Sequence, residues 1–288
     1  MIQIIIENGI NKQIIVYQEE VLWLIFCKKN KNKSNVLWLF DYNGTDRNSL
    51  SSIIRRVSGA ICCNAAFILV VHLILSSNDR NSFFEMGLKK EGIVASLFIS
   101  PIPIICLYFG TIIMLGLDGI LKEIFTLKGW SNCLTDRIFI RNVVFAPISE
   151  ELAFRGCCIP LLLNCFEKGS IIFVLPLGFS LCHLHHILDD TRKGSSIINS
   201  LLARLFQCTY SYLFGVYAAF LFLRTGNVIA PIISHAICNC LGLPSIVDIN
   251  EYQDNSPKVI LYFCHIFGLV MFIYLLFPLT DTTLYQTI

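Results

Sequence analysis

Charge is what this 288-residue chain has least of: Asp, Glu, Lys and Arg make up 15% of it, against roughly 25% in ordinary soluble domains. With 55% hydrophobic residues, that scarcity excludes a water-soluble globule and describes a membrane protein. The formal net charge is +2 and no basic, aromatic-interleaved face is present, which sets nucleic acid aside as a partner. No two cysteines stand at a C-x-x-C spacing and their number, 13, is odd, so zinc–thiolate, dithiol redox and disulfide-framework readings are disfavoured. Most of them, such as Cys62, Cys106, Cys165 and Cys264, sit in apolar runs and read as small core residues. There is no H-E-x-x-H, which disfavours a zincin-type metal site, and no fixed-period repeat. Met1 to Asn11 carries Glu7 and lacks a basic flank, so it is not read as a cleaved signal.

Long apolar runs are abundant. A hydrocarbon core of about 30 Å takes roughly 17–25 helical residues to cross, and seven runs qualify: Gly59 to Leu75, Ile93 to Leu117, Phe139 to Phe166, Ile171 to Ile187, Leu201 to Leu223, Val228 to Leu243 and Val259 to Phe277. In lipid the backbone must pair internally, so such runs form helices. The expectation is an all-α, polytopic transmembrane helical bundle of about seven to eight spans. Arg55 and Arg56 precede the first clear span and Lys89 and Lys90 follow it, so basic residues do not give its orientation. Residues 1–45 form a divergent N-terminal segment whose apolar stretches are too short to span alone; residues 46–288 are expected to form the membrane domain.

Three stretches put polar groups where lipid should be. In "APISEELAFRG", Glu150, Glu151 and Arg155 would together cost about 7–10 kcal/mol unpaired at the centre of a bilayer, so they must be paired, wet or both. Glu151 and Arg155 are i and i+4, which brings their heads onto one helical face. Glu150 points about 100° away, and is expected to face a cavity. Pro147, three residues before Glu150, is expected to kink or begin the helix there. In "GFSLCHLHHI", Phe179 and His183 are i and i+4 and His186 lies on nearly the same face, so three of the chain's six histidines crowd into four positions. In "SHAICNCLGLP", His235 and Asn239 share a helical face and both can donate to one point; Gly242 and Pro244 are expected to stop that helix. Taken alone, this last pair reads as an interhelical clasp. His72 and His265, each single in an apolar span, read as structural.

Together the stretches supply a carboxylate, an imidazole able to carry a proton and two hydrogen-bond donors, the inventory for activating water and stabilising an oxyanion. An intramembrane proton or ion relay uses the same residue types, but no paired Gly/Pro-broken helices support it.

The three motifs, in this order within a polytopic chain, resemble those of the type II CAAX prenyl endopeptidases, the eukaryotic Ras-converting enzyme branch of the CAAX protease and bacteriocin-processing family. The family's E-E-x-x-x-R stands as Glu150, Glu151 and Arg155. Its F-x-x-x-H stands as Phe179 and His183, extended by the H-x-H-H of this branch through His185 and His186. Its H-x-x-x-N stands as His235 and Asn239. The resemblance runs loosely from about Asp46 to Phe277.

It implies an endoplasmic-reticulum, multi-pass enzyme that removes the C-terminal tripeptide from isoprenylated CaaX proteins such as small GTPases, meeting them in membrane lipid. Glu150 would be the general base and His183 would align the water or share its proton. His235 and Asn239 would line the oxyanion hole, with Glu151, Arg155, Phe179 and His186 in support. No cofactor and no metal ligand is expected; a metal held by His183, His235 and Glu150 is the alternative within the enzyme class, and an inactive scaffold the alternative outside it.

Overall fold

The structure, a computed structural model, describes residues 48–286 except 186, 188, 189, 192, 193 and 245, and leaves the side chains of His183 and His185 undescribed. The expected N-terminal segment 1–45 therefore lies outside the described residues. The chain divides into two units, Met1–Cys63 and Asn64–Ile288. Within the first, Ser49 caps the start of helix α1 (Leu50–Ser76): its hydroxyl accepts from the Ser52 amide at 3.3 Å, satisfying one of the donors a helix start leaves orphaned.

Every element among the described residues of the second unit is helical. The principal ones are α2 (Ile93–Phe98), α3 (Ile102–Leu107), α4 (Phe109–Leu117), α5 (137–162), α6 (Lys168–Leu181), α7 (Ile197–Thr225), α8 (Ile229–Leu241) and α9 (Asn255–Leu276). Three helices, α1, α7 and α9, are long and apolar enough to cross a membrane. A fourth span is completed if α2 and α3 join α4, across a 73° bend. All seven apolar runs seen in the sequence contain helix, but three fall short of that test. At 1.5 Å per residue, α6 with 14 residues and α8 with 13 are only about 20 Å long, and α5 carries Arg137, Arg141, Glu150, Glu151 and Arg155.

Caps follow the local chemistry. Ser196 accepts from the Asn199 amide to open α7, and Gly226, at φ 61°, closes it, the left-handed position that glycine adopts without a Cβ penalty. Helix α8 stops at Leu241, ahead of Gly242 and Pro244, where the sequence predicts its end. Tyr108 sits at the bend between α3 and α4 and donates its hydroxyl to the Gly242 carbonyl at 2.5 Å, tying the bend to the end of α8.

Packing is closest where side chains are smallest, as expected of helices that associate in lipid by van der Waals contact. Helix α9 lies against α3 and α4, and its His265 fits over Gly110, while its Gly268 fits against the Cys106 carbonyl. His265 is itself satisfied, with Nδ1 2.8 Å from the Leu261 carbonyl, and His72 Nδ1 is 2.6 Å from the Ser82 hydroxyl. Both singletons have local partners, as a structural role requires. Ile104, Tyr108, Tyr217, Leu221 and Ala230 form a buried cluster that joins α3, α7 and α8.

A methyl group on Gly110 would stand 2.1 Å from His265 Nδ1. Gly110→Ala is expected to cost about 1–3 kcal/mol by overpacking, seen as a lowered unfolding temperature of the purified protein in detergent. Ala at Gly119, with open space around it, serves as the comparison and should lose only what its left-handed φ of 78° demands.

Candidate active site

Helix α5 carries the glutamates and is not uniformly α-helical. Its turns widen to π geometry over Ile140–Phe145 and again over Leu152–Cys158, on either side of the α-helical Ala146–Glu151. Each wide run ends two residues before a proline, Pro147 or Pro160. A proline ring clashes with the carbonyl four residues back and offers no N–H, and a wider turn relieves that clash at the cost of one ladder bond. Such π-bulges gather at functional sites.

Glu151 and Arg155 meet as their spacing predicts. Arg155 Nη1 lies 3.1 Å from Glu151 Oε1 and 3.0 Å from Oε2, with the two side chains 1% and 0% exposed. Arg155 Nη2 donates to the Gly215 carbonyl on α7 at 3.1 Å, and the Phe179 ring of α6 stacks 4.8 Å from the guanidinium centre, a cation–π contact that counts for more when desolvated. Gly215 is small by necessity: a Cβ there would meet Pro176 at 2.7 Å.

From α8, His235 enters the same cluster. Its Nδ1 is 2.7 Å from Glu151 Oε1 and its Nε2 is 3.9 Å from Glu150 Oε2. Two adjacent carboxylates, expected to point about 100° apart, thus flank one imidazole, because Glu150 and Glu151 approach it from its two nitrogen sides. Glu151 is wholly enclosed, whereas Glu150 keeps 37% of its side chain exposed. An ionised carboxylate only accepts, so Nδ1 carries a proton toward Glu151 and the ring orientation is fixed. Phe214 lies 4.6 Å from the imidazole and Phe179 6.3 Å, edge-on; Phe154 in turn packs edge-on against Phe179 at 5.1 Å.

Asn239, one turn along α8 from His235, is exposed and its Nδ2 donates to the Asn142 carbonyl of α5 at 2.8 Å. His235 and Asn239 are thus held by different parts of α5, the one through Glu151 and the other through the Asn142 carbonyl. The backbone of His183 lies in the 3-10 turn Cys182–His185 that follows α6. Its side chain, and all of His186, lie outside the described residues. Among the described residues no group of three or more His, Cys, Asp or Glu is arranged to hold a metal ion.

Sequence reasoning missed the backbone carbonyls of Gly215 and Asn142 and the aromatic walls Phe154 and Phe214. The carbonyls carry no side-chain signal, and Phe214 stands two helices away in sequence.

The family described as Type II CAAX prenyl endopeptidase Rce1-like matches residues 136–241, a stretch that contains all of these groups. The chain is similar to CAAX prenyl protease 2 of Caenorhabditis elegans, 36% identical over 83% of this chain and 90% of that protein. It is also similar to CAAX prenyl protease 2 of Homo sapiens, 37% identical over 70% of this chain and 63% of that protein. A third relative is CAAX prenyl protease 2 of Arabidopsis thaliana, 42% identical over 51% of this chain and 45% of that protein. No solved structure matches.

Removing one member of a buried ion pair strands the other charge, a loss of about 3–5 kcal/mol. Arg155→Met is therefore expected to lower the unfolding temperature sharply or prevent accumulation. Arg155→Met combined with Glu151→Leu, which removes both charges, is expected to recover most of that loss in the same thermal unfolding measurement.

Proposed function

From the premise that the chain belongs to the type II CAAX prenyl endopeptidases, we propose how this intramembrane CAAX endopeptidase cuts its substrates and where it does so. Water activated by Glu150 attacks the carbonyl of the isoprenylated cysteine, and the bond to the following residue breaks. Glu150 takes the water's proton and delivers it to the amine of the departing tripeptide, leaving a new carboxylate on the cysteine. The observation that carries this assignment is the contrast between the neighbours: Glu151 is enclosed and already bound to Arg155 and His235, while Glu150 is partly exposed and, among the described residues, has no ion-pair partner closer than 3.9 Å. A general base must reach water.

The tetrahedral oxyanion is stabilised by Asn239 and His235. With Nδ1 turned to Glu151, His235 presents Nε2 to the oxyanion. Arg155 fixes Glu151, Glu151 fixes the imidazole, and Phe179 and Phe214 limit its rotation. His183 aligns the attacking water or shares its proton, with His186 in support.

The enzyme spans the bilayer seven to eight times, α5, α6 and α8 adding crossings to those of the longer helices α1, α7 and α9. It resides in the endoplasmic reticulum membrane and acts on isoprenylated CaaX proteins, small GTPases among them. A prenyl chain buried in lipid gains roughly 0.8 kcal/mol per CH₂, so the substrate's scissile bond is already held at the membrane that contains the site.

Glu150→Ala is expected to abolish release of the C-terminal tripeptide from a farnesylated peptide, followed chromatographically on reconstituted membranes, with an unchanged unfolding temperature. A folded variant with near-normal turnover would overturn the assignment. Asn239→Ala is expected to lower kcat by about 10²–10³, the usual loss for one oxyanion donor; an unchanged kcat would return Asn239 to a helix clasp.

A further inference from the structure

In a π-helical turn each N–H pairs with the carbonyl five residues earlier. The Ala146 amide of α5 does so, donating to the Arg141 carbonyl. The next bond in that ladder would run from residue 147 to the Asn142 carbonyl, but residue 147 is Pro147 and has no N–H to give. The Asn142 carbonyl is thus released from the helix by one specific side chain, and the group that takes it is the Asn239 amide, at 2.8 Å.

A carbonyl only accepts, so the bond also sets which end of the Asn239 amide points where. The NH₂ must face Asn142, and Oδ1 must turn away. One amide hydrogen is used; the second lies in the same plane at a fixed angle to the first. Asn239 is exposed, and without this anchor its side chain would rotate freely. A donor serves an oxyanion only if it is aimed before the charge develops.

We infer that Pro147 is a positioning residue: by denying its N–H to the wide turn it frees the Asn142 carbonyl, which orients the Asn239 amide so that its second hydrogen points to the reaction centre. The inference rests on the assignment of Asn239 as an oxyanion donor and adds what aims it. It also accounts for the presence of a proline in the middle of a helix that bears the glutamates, a position where proline is otherwise costly.

The test is a double-mutant cycle on the full-length enzyme in reconstituted membranes, with a farnesylated peptide as substrate. Pro147→Ala restores the missing N–H, which competes for the Asn142 carbonyl. The expected result is a kcat lowered about 10-fold, less than the ~10²–10³ of a donor removed outright, with KM and the unfolding temperature unchanged or the latter raised. In an Asn239→Ala background, Pro147→Ala should then lower kcat no further. A Pro147→Ala enzyme with full kcat, or equal losses from Pro147→Ala in both backgrounds, overturns the inference while leaving Asn239 a donor.

If Asn239→Ala itself keeps full kcat, the donor assignment fails first, which separates the two outcomes. The unaltered enzyme supplies an independent measurement that does not depend on the folding of any proline variant. In ¹⁵N-asparagine-labelled protein, the Asn239 side-chain NH₂ signal, identified by its loss in Asn239→Ala, should show one proton protected from solvent exchange and one not. Two equally exchanging protons would overturn the inference.

Discussion

The structure depends on an ion pair that could not stand alone. Glu151 and Arg155 are both almost completely enclosed, and two charges taken from water repay their desolvation only when geometry is good and their remaining hydrogen-bonding capacity is used. Here part of that capacity is used by three other helices: α7 offers the Gly215 carbonyl, α8 offers His235, and α6 offers the face of Phe179, while Arg155 Nε and Glu151 Oε2 have no hydrogen-bond partner among the described residues. Any slip of those helices leaves a charge partly unpaired in a low-dielectric interior. The pair therefore acts as a register mark, locking four elements at one depth. Gly215 permits it, because a side chain at that position would hold α7 away from Pro176 on α6.

From that mark the rest of the proposed chemistry is built outward. Glu151 holds one nitrogen of His235, and the other nitrogen looks toward Glu150, the glutamate that remains partly exposed. The wide turns of α5 serve the same arrangement. They change the angular relation between successive side chains and leave the Asn142 carbonyl for Asn239. On the proposed mechanism, both donors on α8 are thus aimed by α5, one through a carboxylate and the other through a backbone carbonyl. Membership of the CAAX prenyl endopeptidases explains why so costly an arrangement persists: hydrolysis inside a membrane needs polar groups that lipid would otherwise exclude.

Much of this was legible in the residues because the relevant interactions are local. An i to i+4 pair meets in any helix, so Glu151 and Arg155 could be matched from spacing alone. Gly242 and Pro244 stop α8 for reasons contained in their own backbone chemistry. Apolar runs marked where helices lie, but not how far each extends. Helices α6 and α8 end after 14 and 13 residues, short of a full crossing, because a 3-10 turn follows one and Gly242 the other. The break at Tyr108 was hidden for a different reason: a continuous apolar run does not show a 73° bend, which is held by a hydroxyl bond to a residue 134 positions away.

An all-helical membrane chain, and the polar residues that could not be left in lipid, were readable from the residues alone. These follow from composition and from contacts within one turn of helix, which need no knowledge of neighbours. It is the packing of helices that makes His235, 84 residues from Glu151, a partner of that glutamate and that binds Asn239 to a carbonyl of α5. Those outcomes depend on how separate helices pack, and packing is set by the fit of small residues and carbonyls across interfaces that no local pattern encodes.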